Sequence, residues 1–246
     1  MSNIRNIVIL TGAGISAESG VPTFRTHGQV NYWEYYDSDG VLKKRRVEEI
    51  CTPQALARDP ALVLDFYDAR RRALASVEPN PAHRALAALD AAWPGELLIV
   101  TQNVDDLHER AGAQRMIHIH GELLSALCQA CDDRSPFGGA MADGPACPHC
   151  GSVGALRPDI VFFGEIPYEM ERIEAALEEA DLFVSIGTSG AVYPAAGFVR
   201  LAKAAGAQTL ELNLDRTTGS AWFDETRTGP ASLLVPAWVR ELLPLA

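Results

Sequence analysis

The chain has 246 residues, of which 48% are hydrophobic and 22% are charged, a balance that fits one globular domain or one domain with an insertion. Because 32 acidic residues outnumber 21 lysines and arginines, the formal net charge is −11, which excludes binding to nucleic acid or to an anionic membrane through a global positive field. The first residues lack the apolar core of a signal peptide, so we expect a cytoplasmic protein.

Short apolar runs rich in β-branched residues recur along the chain and predict buried parallel strands. The runs cover residues 6–10, 97–101, 116–119, 160–163, 182–186 and 209–214. Between them, a proline suited to a first helical turn marks three predicted helix starts, at Asp59-Pro60, Asn80-Pro81 and Val235-Pro236. The alternation of strands and helices predicts an α/β fold built on a Rossmann-like, doubly wound parallel sheet.

Two segments do not follow this alternation, and we expect them to form a small second domain. Residues 29–77 show no strand pattern and predict a helical insertion. Residues 123–155 are rich in Cys, Gly, Pro and Asp, so something other than an apolar core must hold them together. The predicted Rossmann-like domain then comprises residues 1–28, 78–122 and 156–246.

The first predicted strand runs into a glycine-rich turn of the form G-x-G-x-x-A, from Gly12 to Ala17. Glycines at such a turn let the backbone approach a pyrophosphate, although a tight turn without any ligand has the same pattern. Ordinary dehydrogenases place an acidic residue about 20 positions later, at the end of a second strand, to bind ribose. No such residue is evident here, which disfavours a hydride-transfer enzyme.

Four of the five cysteines form two Cys-x2-Cys pairs separated by fifteen residues. The pairs are Cys128 with Cys131 and Cys147 with Cys150. This spacing is typical of a zinc ribbon, and four thiolates leave no open coordination position for water. The pattern therefore predicts one structural zinc ion, with two redox-active pairs as the alternative.

Three longer motifs follow one another along the chain: G-A-G-I-S-A-E-S-G-V-P-T-F-R at 12–25, T-Q-N-V-D-D-L-H at 101–108 and I-H-I-H-G-E at 117–122. Taken together, they resemble the sirtuin family of NAD-dependent protein lysine deacylases. The segments 158–165, 187–189, 213–215 and 229–232 extend the match in the family's order, and the cysteine pairs lie where the family's zinc module belongs. The resemblance covers about residues 6–240.

The resemblance implies that NAD is the co-substrate, bound along the carboxyl edge of the sheet. Polar residues at the ends of strands often only cap the strand, so without the resemblance their pattern does not show that they bind NAD. The implied NAD-binding residues are Gly12, Ala13, Gly14, Ala17, Phe24, Arg25, Gln102, Asn103, Val104, Asp105, His120, Gly187, Thr188, Ser189, Asn213, Leu214, Asp215 and Ala231.

The implied reaction cleaves the nicotinamide–ribose bond while the acyl-lysine carbonyl oxygen attacks the ribose carbon, and it releases nicotinamide and O-acyl-ADP-ribose. A general base must activate a ribose hydroxyl, and an imidazole titrates near neutral pH. His118 and His120 point to the same face of an extended segment, so the pattern does not separate them. The resemblance assigns the base to His120, which precedes Gly-Glu, and places Asn103 at the reacting centre.

Tyr67 and Arg70 lie three residues apart in a predicted helix spanning 59–77, so they share one face. The pair resembles the one that marks the bacterial sirtuin branch acting on succinyl- and malonyl-lysine as well as acetyl-lysine. A phenol and a guanidinium can both donate hydrogen bonds to the carboxylate of such an acyl group. The alternative is that Tyr67 and Arg70 simply belong to a solvent-exposed polar stripe of the helix. The resemblance adds Phe162, Phe163 and Gly164 to the substrate-binding residues.

The sequence therefore predicts an NAD-dependent deacylase that acts on acylated lysines of proteins, with no nucleic-acid or membrane partner. The first alternative is an ADP-ribosyltransferase that uses the same NAD site, and the second is a zinc-stabilised NAD sensor without turnover. Protein targets, the ranking of acyl groups and the oligomeric state leave no pattern in the sequence.

Overall fold

A computed structural model describes residues 4–23, 25–27, 30–37 and 39–243. Its strands are β1 (Ile7–Thr11), β2 (Arg25–His27), β3 (Val30–Tyr36), β4 (Leu42–Arg46), β5 (Leu97–Thr101), β6 (Met116–His118), β7 (Gly121–Cys128), β8 (Arg134–Pro136), β9 (Leu156–Ile160), β10 (Leu182–Ile186), β11 (Gln208–Asn213) and β12 (Glu225–Thr228). Its α-helices are α1 (Ala13–Ala17), α2 (Val47–Ile50), α3 (Pro53–Arg58), α4 (Pro60–Leu74), α5 (Pro81–Ala92), α6 (Leu107–Ala111), α7 (Met170–Glu178), α8 (Phe198–Ala204) and α9 (Ala231–Leu242).

The main sheet is parallel and has the strand order β12-β11-β10-β1-β5-β6. Successive residues of β1 face opposite sides, so Ile7 and Ile9 pack with α5 and α9, whereas Val8 and Leu10 pack with α7 and α8. Helices therefore cover both faces, as the uninterrupted apolar run of β1 requires. The predicted doubly wound, Rossmann-like sheet is confirmed.

The strand order reverses at β1, because β5 and β6 lie on one side of it and β10 to β12 lie on the other. In open α/β sheets such a switch point opens a crevice at the carboxyl ends of the strands. Here the loops after β1 and β10 meet closely: a Cβ on Gly14 would lie 2.7 Å from the Cα of Gly187. Gly187 has φ +63°, and a Cβ there would lie 2.5 Å from the backbone nitrogen of Ile15, so only glycine fits.

The prediction that residues 29–77 contain no strand is wrong. β2, β3 and β4 form an antiparallel sheet within and just before this segment, followed by the helices α2, α3 and α4 that the insertion was expected to contain. Aromatic residues fit a half-buried strand, and here Trp33 and Tyr35 turn inward onto Phe66 of α4. Asp37 closes the turn to β4 by accepting the backbone N–H of Val41 at 2.8 Å.

The predicted strand at 160–163 is also misplaced. β9 ends at Ile160 and pairs antiparallel with β7 in a third sheet, of order β8-β7-β9, rather than joining the parallel sheet. The chain turns after Ile160 because the Glu165 carboxylate accepts the backbone N–H of Phe162 at 2.7 Å. Glu165 in turn pairs with Arg157 of β9 at 2.7 Å, which holds the turn in place.

Helix α9 begins earlier than the predicted start at Val235-Pro236. It starts at Ala231 and contains Pro236 in its interior. The Glu18 carboxylate accepts the backbone N–H of Ser232 at 3.0 Å, so a free donor of the first turn is satisfied before the proline is reached.

No helix in the described part of the chain is both long enough and apolar enough to cross a membrane. The residue boundaries of the two expected domains stay a prediction.

Candidate active site

The four paired cysteines come together between the end of β7 and the loop before β9. Their sulfur atoms all lie within 4.8 Å of one another, with Cys128 and Cys150 3.7 Å apart and Cys131 and Cys147 3.9 Å apart. Sulfurs bound tetrahedrally at about 2.3 Å from one zinc ion lie about 3.8 Å apart, and a disulfide is much shorter. The cluster therefore fits one structural zinc ion.

Asn103 follows β5 and is held against the loop after β1. Its Nδ2 donates to the carbonyl oxygen of Gly12 at 3.2 Å and to Oγ of Ser16 at 3.0 Å. Its backbone N–H donates to Oγ1 of Thr101 at 3.1 Å. These bonds join the carboxyl ends of two neighbouring strands and fix the orientation of the Asn103 amide.

Asp105 lies two residues further along the same segment and is 4% exposed. Burial raises the pKa of Asp105, whereas a hydrogen bond with Ser16 and the positive charges of His118 and Arg70 act in the opposite direction. The backbone N–H of Leu107 donates to Oδ1 at 3.2 Å. Asp105 is thus a buried carboxyl group anchored at the edge of the crevice.

His120 is half-buried directly after β6, with its Nδ1 3.1 Å from the carbonyl oxygen of Gln102. A carbonyl only accepts hydrogen bonds, so Nδ1 carries the hydrogen and the lone pair of the neutral ring lies on Nε2. Within the described residues, no hydrogen bond involves Nε2. Burial lowers the pKa of His120, which the Gln102 carbonyl only partly opposes.

His118 is in a different state, which separates the two histidines that the sequence pattern left equivalent. Both of its ring nitrogens face acceptors: Nδ1 lies 2.9 Å from the carbonyl oxygen of Asn103, and Nε2 lies 2.5 Å from the Glu109 carboxylate. Burial opposes the charged ring, but Glu109 and the Asn103 carbonyl outweigh it and raise the pKa of His118. Both ring nitrogens of His118 are therefore engaged by acceptors, and neither is open to take a proton from a substrate.

A buried polar chain behind Asn103 was not predicted from the sequence. The backbone N–H of Asn80 donates to Nδ1 of His83 at 3.3 Å, so Nε2 of His83 carries the hydrogen that faces Oγ of Ser16 at 3.4 Å. Burial lowers the pKa of His83 to about 4, which keeps its ring neutral. His83 is a core residue, and the Asn-Pro helix start beside it was the available signal in the sequence.

Tyr67 and Arg70 do not form a solvated stripe. Tyr67 is 1% exposed and packs against Phe162 with ring centroids 5.8 Å apart. The guanidinium of Arg70 lies 4.4 Å from the ring centroid of Trp33. Asp105 acts on Arg70 electrostatically, but no carboxylate among the described residues forms a salt bridge with it. Arg70 is therefore a partly buried cation without an ion-pair partner in that part of the chain.

The other residues predicted to bind substrate are Phe162, Phe163 and Gly164, in the loop after β9. Phe162, which packs against Tyr67, is 2% exposed. Phe163 and Gly164 are exposed, and the backbone N–H of Phe163 donates to the carbonyl oxygen of Cys51 at 2.9 Å. This bond ties the loop after β9 to the end of α2.

The remaining predicted NAD-binding residues lie at the carboxyl ends of the strands that flank the switch point. Nδ2 of Asn213, at the end of β11, donates to the carbonyl oxygen of Thr188, just after β10, at 2.7 Å. Phe24 lies outside the described residues, and so does the side chain of Arg25, whose backbone opens β2. The others, partly or fully exposed except for buried Gly12, are Gly12, Ala13, Gly14, Ala17, Gln102, Val104, Gly187, Ser189, Leu214, Asp215 and Ala231.

Comparison with known families identifies this arrangement. A family model described as the Sir2 family matches residues 12–194. The chain belongs to the Sir2 family. The NAD-dependent protein deacylase of Caulobacter vibrioides is 52% identical over 246 residues, covering 99% of each chain. The protein of the same name from Bdellovibrio bacteriovorus is 51% identical over 241 residues, covering 97% of each.

Solved structures of Sir2 proteins share the whole fold. A Sir2 homolog in complex with NAD has a TM-score of 0.83 and 36% identity, covering 96% of this chain and 89% of that one. A Sir2 protein bound to an acetylated peptide has a TM-score of 0.79 and 25% identity, covering 99% of this chain and 95% of that one. The expectation of a sirtuin is confirmed.

Proposed function

We propose that this chain is an NAD-dependent protein lysine deacylase that releases nicotinamide and O-acyl-ADP-ribose. Two relatives about 50% identical over nearly the full length carry the name NAD-dependent protein deacylase. The observation that carries the proposal is the state of His120: its Nδ1–H is tied to a carbonyl, its Nε2 lone pair is free within the described structure, and burial lowers its pKa. A neutral imidazole of this kind is a general base at neutral pH.

The proposed roles follow the positions of the side chains in the crevice. Bound NAD supplies the ribose carbon that is attacked and the nicotinamide leaving group. His120 takes the proton of a ribose hydroxyl, and Asn103, fixed by Gly12 and Ser16, orients the reacting centre together with Gln102. Asp105 holds the nicotinamide amide. The residues that contact the rest of the dinucleotide are Gly12, Ala13, Gly14, Ala17, Phe24, Arg25, Val104, Gly187, Thr188, Ser189, Asn213, Leu214, Asp215 and Ala231.

We further propose that the enzyme prefers acyl groups that end in a carboxylate, such as succinyl and malonyl, and also removes acetyl groups. Partial burial lowers the pKa of Arg70, so its charged form is disfavoured unless an anion pairs with it, and Arg70 has no salt-bridge partner among the described residues. Burial raises the pKa of Tyr67 well above its usual value, so its hydroxyl stays protonated and able to donate. A terminal carboxylate of the substrate can accept hydrogen bonds from both groups, whereas an acetyl group has no carboxylate to offer them.

We also propose a cytoplasmic location. Zinc thiolates and a free thiol such as Cys51 persist in a reducing compartment, where disulfides are rare. Separating the compartments of the source cells and probing each with an antibody to this chain tests the location.

The test of the activity uses one peptide carrying acetyl-, malonyl-, succinyl- or glutaryl-lysine, with the zinc-loaded full chain. We expect nicotinamide and O-acyl-ADP-ribose to form in equal amounts, with kcat/KM higher for the acidic acyl groups than for acetyl. Absence of nicotinamide release with every peptide contradicts the deacylase. Equal kcat/KM for acetyl and acidic acyl groups contradicts the proposed preference alone.

A further inference from the structure

Cys51, the cysteine outside the zinc cluster, is buried beside the residues proposed to bind the acyl group. Its side chain is 6% exposed, and its Sγ accepts the hydrogen bond that the Tyr67 hydroxyl donates at 3.5 Å. Its carbonyl oxygen accepts the backbone N–H of Phe163 at 2.9 Å. Burial raises the pKa of Cys51, while Arg70 is close enough to act on it electrostatically, so a neutral thiol lies beside three of the five proposed substrate-binding residues, Tyr67, Arg70 and Phe163.

We propose that Cys51 is a positioning residue that sets how readily the Tyr67 hydroxyl turns from the protein to the terminal carboxylate of an acyl-lysine. The inference deepens the proposed preference for acidic acyl groups and rests on it. In the structure the hydroxyl is engaged by Cys51, so the substrate carboxylate must compete with the thiol for one proton.

The competition depends on the atom at position 51, because a tyrosine hydroxyl donates only one hydrogen bond. Sulfur is a weak acceptor, so Tyr67 loses little when it turns to a carboxylate. An oxygen at this position is a stronger acceptor and holds the hydroxyl back. Alanine at position 51 leaves the Tyr67 hydroxyl as a buried donor without its present partner, which costs free energy. The carboxylate of a bound succinyl group accepts that hydrogen bond and removes the cost. The preference for succinyl over acetyl therefore follows the order alanine, cysteine, serine at position 51, from highest to lowest.

The experiment compares the parent chain with Cys51→Ala and Cys51→Ser as zinc-loaded, full-length enzymes. For each, kcat/KM is measured on one peptide carrying succinyl-lysine or acetyl-lysine, and the ratio of the two values cancels differences in the fraction of active protein. We expect Cys51→Ala to raise the ratio about three- to tenfold and Cys51→Ser to lower it by a similar factor. The effect of each substitution should appear in the KM for the succinyl peptide rather than in its kcat.

The same series is repeated with Tyr67→Phe in every chain, which removes the hydroxyl and keeps the ring. If Cys51 acts through that hydroxyl, the three ratios become equal within about twofold, as a double-mutant cycle requires. A role in packing alone predicts that the differences persist without the hydroxyl, and that result overturns the proposal.

Arg70→Met, measured in parallel, separates failure of this inference from failure of the proposed function. If Arg70→Met lowers the succinyl-to-acetyl ratio but both Cys51 variants keep the parent ratio within twofold, the role of Cys51 is overturned and the acidic preference stands. If Arg70→Met leaves the ratio unchanged, the acidic preference is overturned, and this inference with it. A reversed order, with serine above cysteine, also overturns the role of Cys51.

Discussion

Replacing Arg70 with methionine removes the guanidinium and keeps an unbranched side chain of related length. The guanidinium lies 4.4 Å from the ring centroid of Trp33 and 5.7 Å from that of Phe66. A methionine thioether packs well against aromatic rings, so the surroundings of α4 should hold their arrangement. What disappears is the positive charge that faces the proposed acyl site.

The expected loss follows from the hydrogen bond that Arg70 is proposed to donate. A hydrogen bond to a charged group contributes about 1.5 to 3 kcal/mol, and about 1.4 kcal/mol corresponds to a factor of ten. Arg70→Met should therefore lower kcat/KM for a succinylated peptide at least about tenfold, and up to about a hundredfold. For the acetylated peptide, which offers no carboxylate, we expect a change below about threefold.

The matched control is Arg72→Met, which removes the same charge from an exposed position on the same helix. It should leave both kcat/KM values within about twofold of the parent, because screened surface charges contribute little. Initial rates of nicotinamide release are measured with both peptides at saturating NAD for all three chains. Equal losses on the two peptides for Arg70→Met, or the same selective loss for Arg72→Met, would refute the reasoning.

Three further predictions concern the base, the zinc module and its attachment to α4. His120→Ala should abolish peptide-dependent nicotinamide release, and transfer of label from NAD to protein that survives this change would favour an ADP-ribosyltransferase. Because burial lowers the pKa of His120, kcat/KM of the parent should fall to half its plateau only below pH ~6.5, the usual pKa of histidine; a midpoint above about 6.5 contradicts this assignment. Metal analysis should find one zinc ion per chain, and Cys128→Ser should lower both zinc content and melting temperature, whereas an unchanged zinc content would contradict the four-cysteine site. The buried Asp68 carboxylate pairs with Arg71 and also accepts two backbone N–H groups of the zinc module. Asp68→Asn should therefore lower the free energy of unfolding in urea by about 3 kcal/mol, and a decrease below about 1 kcal/mol counts against the pairing.

The sequence was sufficient for features that depend on short-range pattern. The apolar run of β1 is buried on both sides, so its composition alone predicts a central parallel strand. The two Cys-x2-Cys pairs predict a metal cluster because ligand spacing is local chemistry, and the sulfur atoms indeed converge. The motifs at 12–25, 101–108 and 117–122 are long enough to indicate the family without the three-dimensional structure.

The tertiary structure decided what depends on contacts between distant residues. His118 and His120 are equivalent by pattern, and only their surroundings separate them: Glu109 raises the pKa of His118, whereas burial beside the Gln102 carbonyl lowers the pKa of His120. β9 joins β7 rather than the parallel sheet because pairing partners lie far apart in sequence, and a short apolar run fits either sheet. The sequence pattern fitted Arg70 to a solvated stripe as readily as to a binding site. Its partial burial without a salt-bridge partner in the described structure depends on Trp33 and other residues from outside its helix, so the sequence of that helix alone does not predict it.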